Sequence, residues 1–489
     1  MFNNLTQSAF LKLAEKNRYV AVYKELLADT FTPISAFESL AQKNHPAMLL
    51  ESGLKFKESG SYSFIGTDPY ATFETKNSTT VITSNKKQTS HTENPLSLLR
   101  QFHHDFKCAS DPQGKLAGHM MGFLAYDAVR YFEKIPDRHT DNKNIPDILF
   151  HFYRTNLIFN HETGKALLAI IVEINADPDT IYIKACAEID QLITTLHAQR
   201  SSTSVSANQH NNLLEENVFE TDCTDQEFEE RVTQAKKYIY AGDVFQLVLS
   251  RTFSTPIKST PLDIYRILRH SNPTPYLFYV TTPTLTLFGA SPEKVVSMEN
   301  KQVTIAPIAG TVPTISDEST DTLLKKLRDD PKECAEHMML VDLARNDIGA
   351  VCEPGSVHIA ELMIGQRLTH VMHLISYVKG KLSSQYDAFD LLKSAFPAGT
   401  LTGAPKIRAM ELIDELESSK RHLYGGAVCK IDPEGNLDSC IVIRSGVVQD
   451  NVVRVRAGAG IVFDSKPAAE AAETRSKAKG VFKSVMAAL

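Results

Sequence analysis

The 489-residue chain is long enough for a large core and about two or three folding units. A formal net charge of −6 leaves no basic excess to displace counterions, which argues against a nucleic-acid partner. The seven cysteines are scattered and never spaced as CxxC, so neither a zinc knuckle nor a disulfide framework is supported.

The N-terminus, MFNNLTQSAF, lacks the basic and then apolar run of a signal peptide. The longest apolar run, 166–172, is too short to cross a bilayer, so a cytoplasmic protein without a membrane partner is expected. Residues 46–50 and 62–66 read as short strands, 80–85 as a strand running into a turn, and 96–106 as an amphipathic helix. The segment 118–132, GHMMGFLAYDAVRYF, is glycine-punctuated and apolar, so its backbone packs closely against a neighbour. Residues 152–160 and 165–174 form a predicted hairpin across HETG, followed by a helix over 179–199. Composition then shifts: RSSTSVSANQHNNLLEE at 200–216 has little to bury and reads as a linker or a long surface loop. The expected organisation is an N-terminal region over 1–200, a linker or loop over 201–223 and a second domain over 224–489.

Thr224 and Asp225 open a helix whose Phe228, Val232, Ala235 and Ile239 share a stripe, and Gly242 ends it. Residues 244–253 follow as a strand with Gln246, Val248 and Ser250 on one face. Asp330, Pro331 and Glu333 mark another helix start: an N-cap, a proline in the first turn and an acid able to close a capping box. The apolar run 338–343, interrupted only by Asp342, predicts that this helix is largely buried. Glu333 and Glu336 stand at i and i+3 on it, and Glu470 and Glu473 repeat the spacing near the C-terminus. Two helices each carrying ExxE can gather four carboxylates around a hard cation such as Mg²⁺. Taken singly, Glu333 is a capping acid and Glu470 a solvated one.

The stretch 396–408, FPAGTLTGAPKIR, is a glycine-rich turn entering a helix with Ile407, Met410 and Ile413 on its buried side. Free N–H groups at such a helix start suit a small anion. No GxxxxGK spacing is present, and a plain tight turn fits the same residues. Residues 427–431, 440–448 and 452–457 read as an antiparallel meander. It carries Arg444 inside an apolar strand, where an arginine usually meets a carboxylate. Gly458 and Gly460 fall at a strand end, where a ligand approaches the backbone or a bulge forms. His370 and His373 lie in a β-rich run that sends them to opposite faces, which disfavours a joint metal site but leaves either as an acid or base. Irregular alternation with antiparallel hairpins points to an α+β fold, a layered α/β sandwich with largely antiparallel sheets.

Ten segments in order complete the picture. They are LLES at 49–52, GFLAYDAVRYFEKIP at 122–136, FQLVLSR at 245–251, NPTPYLF at 272–278, GASPE at 289–293, PIAGT at 307–311, the helix segment at 329–347, FPAGTLTGAPKIRAM, YGGAV at 424–428 and AGAGIVFDS. Together they resemble the motifs of the chorismate-utilising enzymes, most closely the anthranilate synthase component I branch. The resemblance implies an N-terminal regulatory region packed on a C-terminal chorismate-binding domain. It implies that Glu336 and Glu473 bind Mg²⁺, and that Gly310, Thr311, Tyr424, Arg444, Gly458, Ala459, Gly460 and Lys477 contact chorismate. Glu293 and His373 are its candidates for protonating the departing ring hydroxyl and assisting pyruvate loss. Glu333 and Thr400 would line the place where the nucleophile arrives. Ser52, Pro275, Tyr276 and Leu277, with Cys440 nearby, match a tryptophan pocket, so feedback inhibition is implied.

Two positions bear on the reaction. Ala309 stands where similar aminodeoxychorismate synthases carry a lysine that attacks as an amine. Gln246 stands where isochorismate and salicylate synthases carry a lysine base. Neither side chain here has that chemistry, and both positions point to ammonia as nucleophile and anthranilate as product. No glutaminase motif is found, so a hetero-oligomer with a separate glutamine amidotransferase subunit is implied. The departures from the family pattern are Val312-Pro313-Thr314 in place of Arg-Pro-Arg, Cys334 for arginine and Ser476 for asparagine. Competing readings are aminodeoxychorismate or 2-amino-2-deoxyisochorismate synthesis, and a non-catalytic tryptophan or chorismate sensor.

Overall fold

The computed structural model describes residues 4–488 other than 44, 54–61, 113, 115, 142, 199–218, 315–317 and 368–370. At its centre two long strands, Tyr62–Lys76 and Ile148–Asn160, pair antiparallel from Tyr62↔Asn160 to Thr75↔Ile148. Their register slips between Pro69 and Ala71, where Asp68 takes a φ of 55°. The bulge lets each strand serve two sheets in turn. On one side of it the second neighbours are Ala47–Ser52 and Lys165–Glu173. On the other side they are Thr79–Ser84 and Met120–Leu124.

From Ala47–Ser52 the first sheet continues through Tyr276–Thr281, Thr286–Ser291, Ser445–Gln449 and Val452–Ile461 to Gln246–Pro256. From Met120–Leu124 the second runs through Ala427–Ile431, Leu437–Ile441, Lys294–Glu299 and Gln302–Ile305 to Val371–Lys381. Ile308–Pro313 and His358–Arg367 flank that last strand. All these pairings are antiparallel. Met48, Phe64, Phe278 and Leu287 of the first sheet meet Met121, Phe123, Val428 and Cys440 of the second in one buried apolar layer. Each large apolar side chain buried there contributes about 1.5–3 kcal/mol. The α+β sandwich expected from the sequence is the fold observed.

Among the described residues, strands from residues 1–200 pair with strands from 224–489 at two places, Ala47–Ser52 on Tyr276–Thr281 and Met120–Leu124 on Ala427–Ile431. Of the expected linker, 201–218 lies outside the described residues, and Glu220–Thr221 is a short strand on Phe253 and Ser254. Among the described residues no helix is long and apolar enough to cross a membrane, and all seven cysteines are free thiols.

The helix Asp225–Ala241 opens after Thr224 and closes on Gly242, as its residues predict, and a capping box joins Thr224 to Glu227. Pro331–Gly349 starts on Asp330, whose carboxylate accepts the N–H groups of Lys332 and Glu333. Two expectations fail on that helix. Glu333 does not close a capping box, because its carboxylate lies toward Gly310 instead. Burial is confined to one stripe, His337, Leu340, Val341, Ala344 and Ile348, since Asp342, Arg345 and Asn346 face solvent.

The predicted 440–448 strand is also corrected. It breaks at Arg444, which takes a φ of 52°, because Leu437–Ile441 belongs to the second sheet and Ser445–Gln449 to the first. Ile407 is 41% exposed while Met410 and Ile413 are buried. It sits in the first turn of Lys406–Leu416, where the helix has not yet reached the core.

Candidate active site

The helix Pro331–Gly349 packs on the strand Ile308–Pro313, and Pro467–Ala488 packs on Val452–Ile461. In Ile308–Pro313 the register slips between Ala309 and Thr311, and Gly310 takes a φ of 76°. A Cβ on Gly310 would lie 3.2 Å from Oε2 of Glu333, so the glycine admits the first acid of the helix against its backbone.

One turn on, burial pushes the Glu336 carboxyl above the ordinary range, and the charges of Glu333 and Glu473 push it further against Lys332 and Lys477. On the C-terminal helix burial likewise raises Glu470, with Glu473 adding to it against a hydrogen bond from Ser465. Glu473 pairs with Lys477 at 2.6 Å. The two ExxE pairs therefore stand within electrostatic reach of each other, with an excess of negative charge between them.

Among the described residues, no group of three or more His, Cys, Asp or Glu side chains is placed to hold a metal ion. Mg²⁺ needs no such group, because it uses one or two carboxylates and fills its other positions with water and ligand oxygens. Glu336 and Glu473, with Glu333 and Glu470 beside them, are a donor set of that chemistry.

Cationic groups border the acids. Arg444 is half-buried and donates from Nη1 to the Lys477 carbonyl at 2.6 Å. Burial lowers its pKa, while nearby Tyr424 and Glu473 oppose the shift. Among the described residues no carboxylate hydrogen-bonds it. The carboxylate expected from the sequence is met only at a distance, in Glu473, so the guanidinium keeps its fork for an incoming anion. His373 lies opposite Thr311 in the ladder and donates from Nδ1 to the Gly310 carbonyl at 3.3 Å. Burial lowers its pKa, with Arg444 and Lys477 adding to the effect against that hydrogen bond, which favours the neutral imidazole. His370 lies outside the described residues.

Gly458, Ala459 and Gly460 pair with Ser250, Leu249 and Val248. A Cβ on Gly458 would lie 2.8 Å from Oη of Tyr424, and one on Gly460 would lie 3.0 Å from Nε2 of Gln246. At both positions the space left by the glycine is already used by the protein's own side chains. Burial pushes the Tyr424 hydroxyl up to about 12, so it remains a donor. Oε1 of Gln246 is buried without a hydrogen-bond partner among the described residues, an open acceptor beside the glycine strand.

Glu293 sits in the two-residue link between Thr286–Ser291 and Lys294–Glu299. Its backbone carbonyl accepts the Ile441 N–H at 3.0 Å, and its Oε1 accepts the Thr400 hydroxyl at 2.7 Å. Burial pushes the carboxyl up to about 7, against the Thr400 hydrogen bond and the charge of Lys477. Acid and carboxylate forms therefore coexist near neutral pH, as general acid–base chemistry requires.

Beneath these groups lies a network that the sequence did not reveal. Glu417 accepts hydrogen bonds from Ser250, Arg421 and Arg456. The Arg421 guanidinium stands 4.6 Å from the Tyr126 ring centroid and 5.7 Å from that of Tyr424. Glu417 and Arg421 at i and i+4 were the one local cue; Arg456 reaches them only through the fold.

A pocket of about 450 Å³ lies between the two sheets, lined by Ser52, Tyr276, Leu277 and Cys440 together with Lys430 and Asp438. Ser52 donates to the Tyr62 carbonyl at 3.0 Å, and the Tyr276 hydroxyl donates to Asp438 at 3.0 Å. Lys430 stands 3.7 Å from the Phe64 ring centroid, and burial lowers its pKa. Pro275 does not line this pocket; its carbonyl accepts the Gly53 N–H at 3.4 Å. Lys430 and Asp438 escaped the sequence reading because each is a lone charge in an ordinary strand.

The profile of the chorismate binding enzymes matches residues 45–483, and the chain belongs to that family. The chain is 38% identical over 489 residues to anthranilate synthase component 1 of Aquifex aeolicus, covering 99% of this chain and 98% of that one. To the same component of Acetivibrio thermocellus it is 37% identical over 480 residues, covering 97% and 96%. The crystal structure of anthranilate synthase component I from Streptococcus pneumoniae TIGR4 is similar at a TM-score of 0.74 and 32% identity, covering 94% of this chain and 98% of that one. The menaquinone-specific isochorismate synthase of Escherichia coli, 19% identical with a TM-score of 0.72 and 98% of each chain covered, shares the fold. The chain is thus a chorismate-utilising lyase, similar along its whole length to component 1 of anthranilate synthase.

Proposed function

We propose that this chain converts chorismate and ammonia into anthranilate, pyruvate and water, in a Mg²⁺-dependent reaction between the helices Pro331–Gly349 and Pro467–Ala488. The observation that carries the reading is the closeness of Glu336 to the charges of Glu333 and Glu473, beside Arg444, whose guanidinium has no hydrogen-bonded carboxylate among the described residues. Arg444, Lys477 and Tyr424, with the backbone of Gly458–Gly460, receive the enolpyruvyl carboxylate. Glu336 and Glu473 would hold the ion, which when bound would draw electron density from the ring through the ring carboxylate.

As the nitrogen bonds to the ring, Glu293 gives its proton to the departing hydroxyl, the carbon–oxygen bond breaks, and water leaves. The extra proton on the new amine restores the acid. Neutral His373 then takes the ring proton, the bond to the enolpyruvyl oxygen breaks, and that proton passes to the leaving group as pyruvate forms. The ring gains aromaticity, which drives the second step. Gln246 and Ala309 support an external amine as nucleophile, since neither supplies a base for water nor an attacking amine of its own.

The relatives bear the name component 1, and the reading includes a second component, a glutamine amidotransferase that supplies ammonia, in a cytoplasmic hetero-oligomer. It also assigns tryptophan to the pocket around Ser52, Tyr276 and Leu277 as a feedback inhibitor. Product analysis after incubation with chorismate, ammonium and Mg²⁺ tests the reaction. Anthranilate with equimolar pyruvate supports it. Isochorismate, aminodeoxychorismate or accumulated 2-amino-2-deoxyisochorismate contradicts it.

A further inference from the structure

Among the described residues, Arg251 is the largest side chain that the protein encloses completely, with 1% of it exposed. It stands on the strand Gln246–Pro256 opposite Ala457, next to the pairing of Ser250 with Gly458. Its guanidinium lies 5.1 Å from the ring centroids of Phe228 and Phe253. Nε donates to Oγ1 of Thr474 at 2.9 Å, Nη2 to the Ala471 carbonyl at 2.9 Å and Nη1 to the Cys223 carbonyl at 3.0 Å. Nη2 also pairs with Asp225 at 2.7 Å. Ala471 and Thr474 each follow an acid of the C-terminal ExxE pair, Glu470 and Glu473, by one residue.

None of these acceptors depends on Arg251 alone. Thr221 donates to the Cys223 carbonyl at 2.8 Å, Thr474 donates to the Ala471 carbonyl at 2.7 Å, and Asp225 also pairs with Arg475. Enclosing a cation sacrifices its hydration, and apolar side chains of similar volume often fill such a place equally well. The guanidinium contributes what they cannot, a planar fork that fixes direction. By gripping one helix face at i and i+3, it fixes the rotation of that helix about its axis. Side chains reach about 5–6 Å from a helix axis, so a roll of about 5° carries a carboxylate about 0.5 Å. Binding constellations tolerate about that much displacement. We propose that Arg251 is a positioning residue for the metal site: by setting the roll of the helix Pro467–Ala488, it holds Glu473 in range of Glu336. The inference rests on the Mg²⁺ reading above.

Binding of Mn²⁺, as a paramagnetic substitute for Mg²⁺, tests this in the full chain with chorismate present and no ammonium, so that no amination occurs. Arg251→Met fills the same space and strands no acceptor, so it is expected to fold with an unfolding midpoint in denaturant close to that of wild type. Its Kd for Mn²⁺, read from the electron paramagnetic resonance of the free ion, is expected to be at least about tenfold weaker. Thr474→Val removes only the contact to Nε and is expected to weaken Mn²⁺ less, in the same direction. A folded Arg251→Met with wild-type Mn²⁺ affinity overturns the proposal, whether or not its unfolding midpoint falls, because a purely structural residue gives that result. Should Arg251→Met fail to fold, wild-type affinity in Thr474→Val overturns it. A wild-type chain that binds no Mn²⁺ removes the metal reading and this inference with it, a result distinct from wild-type binding that neither variant alters.

Discussion

Thr400 donates its hydroxyl to Oε1 of Glu293 at 2.7 Å, tying the turn Gly399–Leu401 to the link that carries the buried acid. The hydrogen bond favours the carboxylate, burial favours the acid, and burial wins, leaving the group at about 7. A donor must be protonated, so kcat is expected to fall as pH rises through about 7. Glu293→Gln should lower kcat by roughly 10²–10⁴ and abolish that limb. Thr400→Val, which removes a bond to the charged form, should move the limb to higher pH. The stability linked to the protonated form is full below 4.5 and is lost as pH rises through about 7. Glu293→Gln should therefore melt no lower than wild type in mildly alkaline buffer.

Arg444 offers a complementary test on the substrate side. Its guanidinium fork, held through Nη1 by the Lys477 carbonyl, matches a carboxylate in a way that an ammonium point charge does not. Arg444→Lys is expected to raise KM for chorismate by roughly 10–100-fold, a cost of about 1.4–2.8 kcal/mol. Steady-state kinetics with chorismate varied at saturating ammonium reads it. An unchanged KM would remove Arg444 from the carboxylate site.

The network around Glu417 predicts a stability effect. Glu417 is 4% exposed. Although burial raises its pKa, Arg421 and Arg456 outweigh that and hold it below the ordinary range. Its contribution is therefore present above 4.5 and lost as pH falls through the lowered folded value. Glu417→Gln strands two buried guanidinium groups and should cost roughly 3–5 kcal/mol at neutral pH. Denaturant unfolding at several pH values measures it, and the gap between variant and wild type should shrink in acid.

The pocket between the sheets is tested by calorimetry. Wild type should bind tryptophan, with phenylalanine and tyrosine giving no comparable heat. Ser52→Leu fills space beside Tyr276 and Leu277 and should weaken tryptophan at least about tenfold while uninhibited turnover stays within about twofold. Absence of heat with tryptophan for the wild-type chain ends that assignment.

Local chemistry made much of this legible before any coordinates. Asp330 and Pro331 predicted the start of a helix that does begin there, and Thr224, Asp225 and Gly242 bounded another, because caps and stops act within one turn. The ExxE spacing was equally local. The break at Arg444 was not readable, since it reflects a strand leaving one sheet for the other, and nothing in CIVIRSGVV marks that exchange. Pro69 and the bulge beside it, which let the two central strands serve both sheets, are hidden for the same reason. Glu293 was marked only by the family resemblance, and its burial in the fold is what raises its proton affinity. Arg251 has partners brought to it by tertiary packing alone.

The most direct measurement is the fluorescence of anthranilate formed by the purified chain from chorismate and ammonium, with Mg²⁺, after EDTA, and after Mg²⁺ is restored, for wild type and for Glu336→Gln and Glu473→Gln. Facing ExxE pairs that hold a functional ion predict signal with Mg²⁺, its loss in EDTA, recovery on adding Mg²⁺ back, and rates at least about 10²-fold lower in both variants. Turnover that persists in EDTA, or variants that keep wild-type rates, would contradict it.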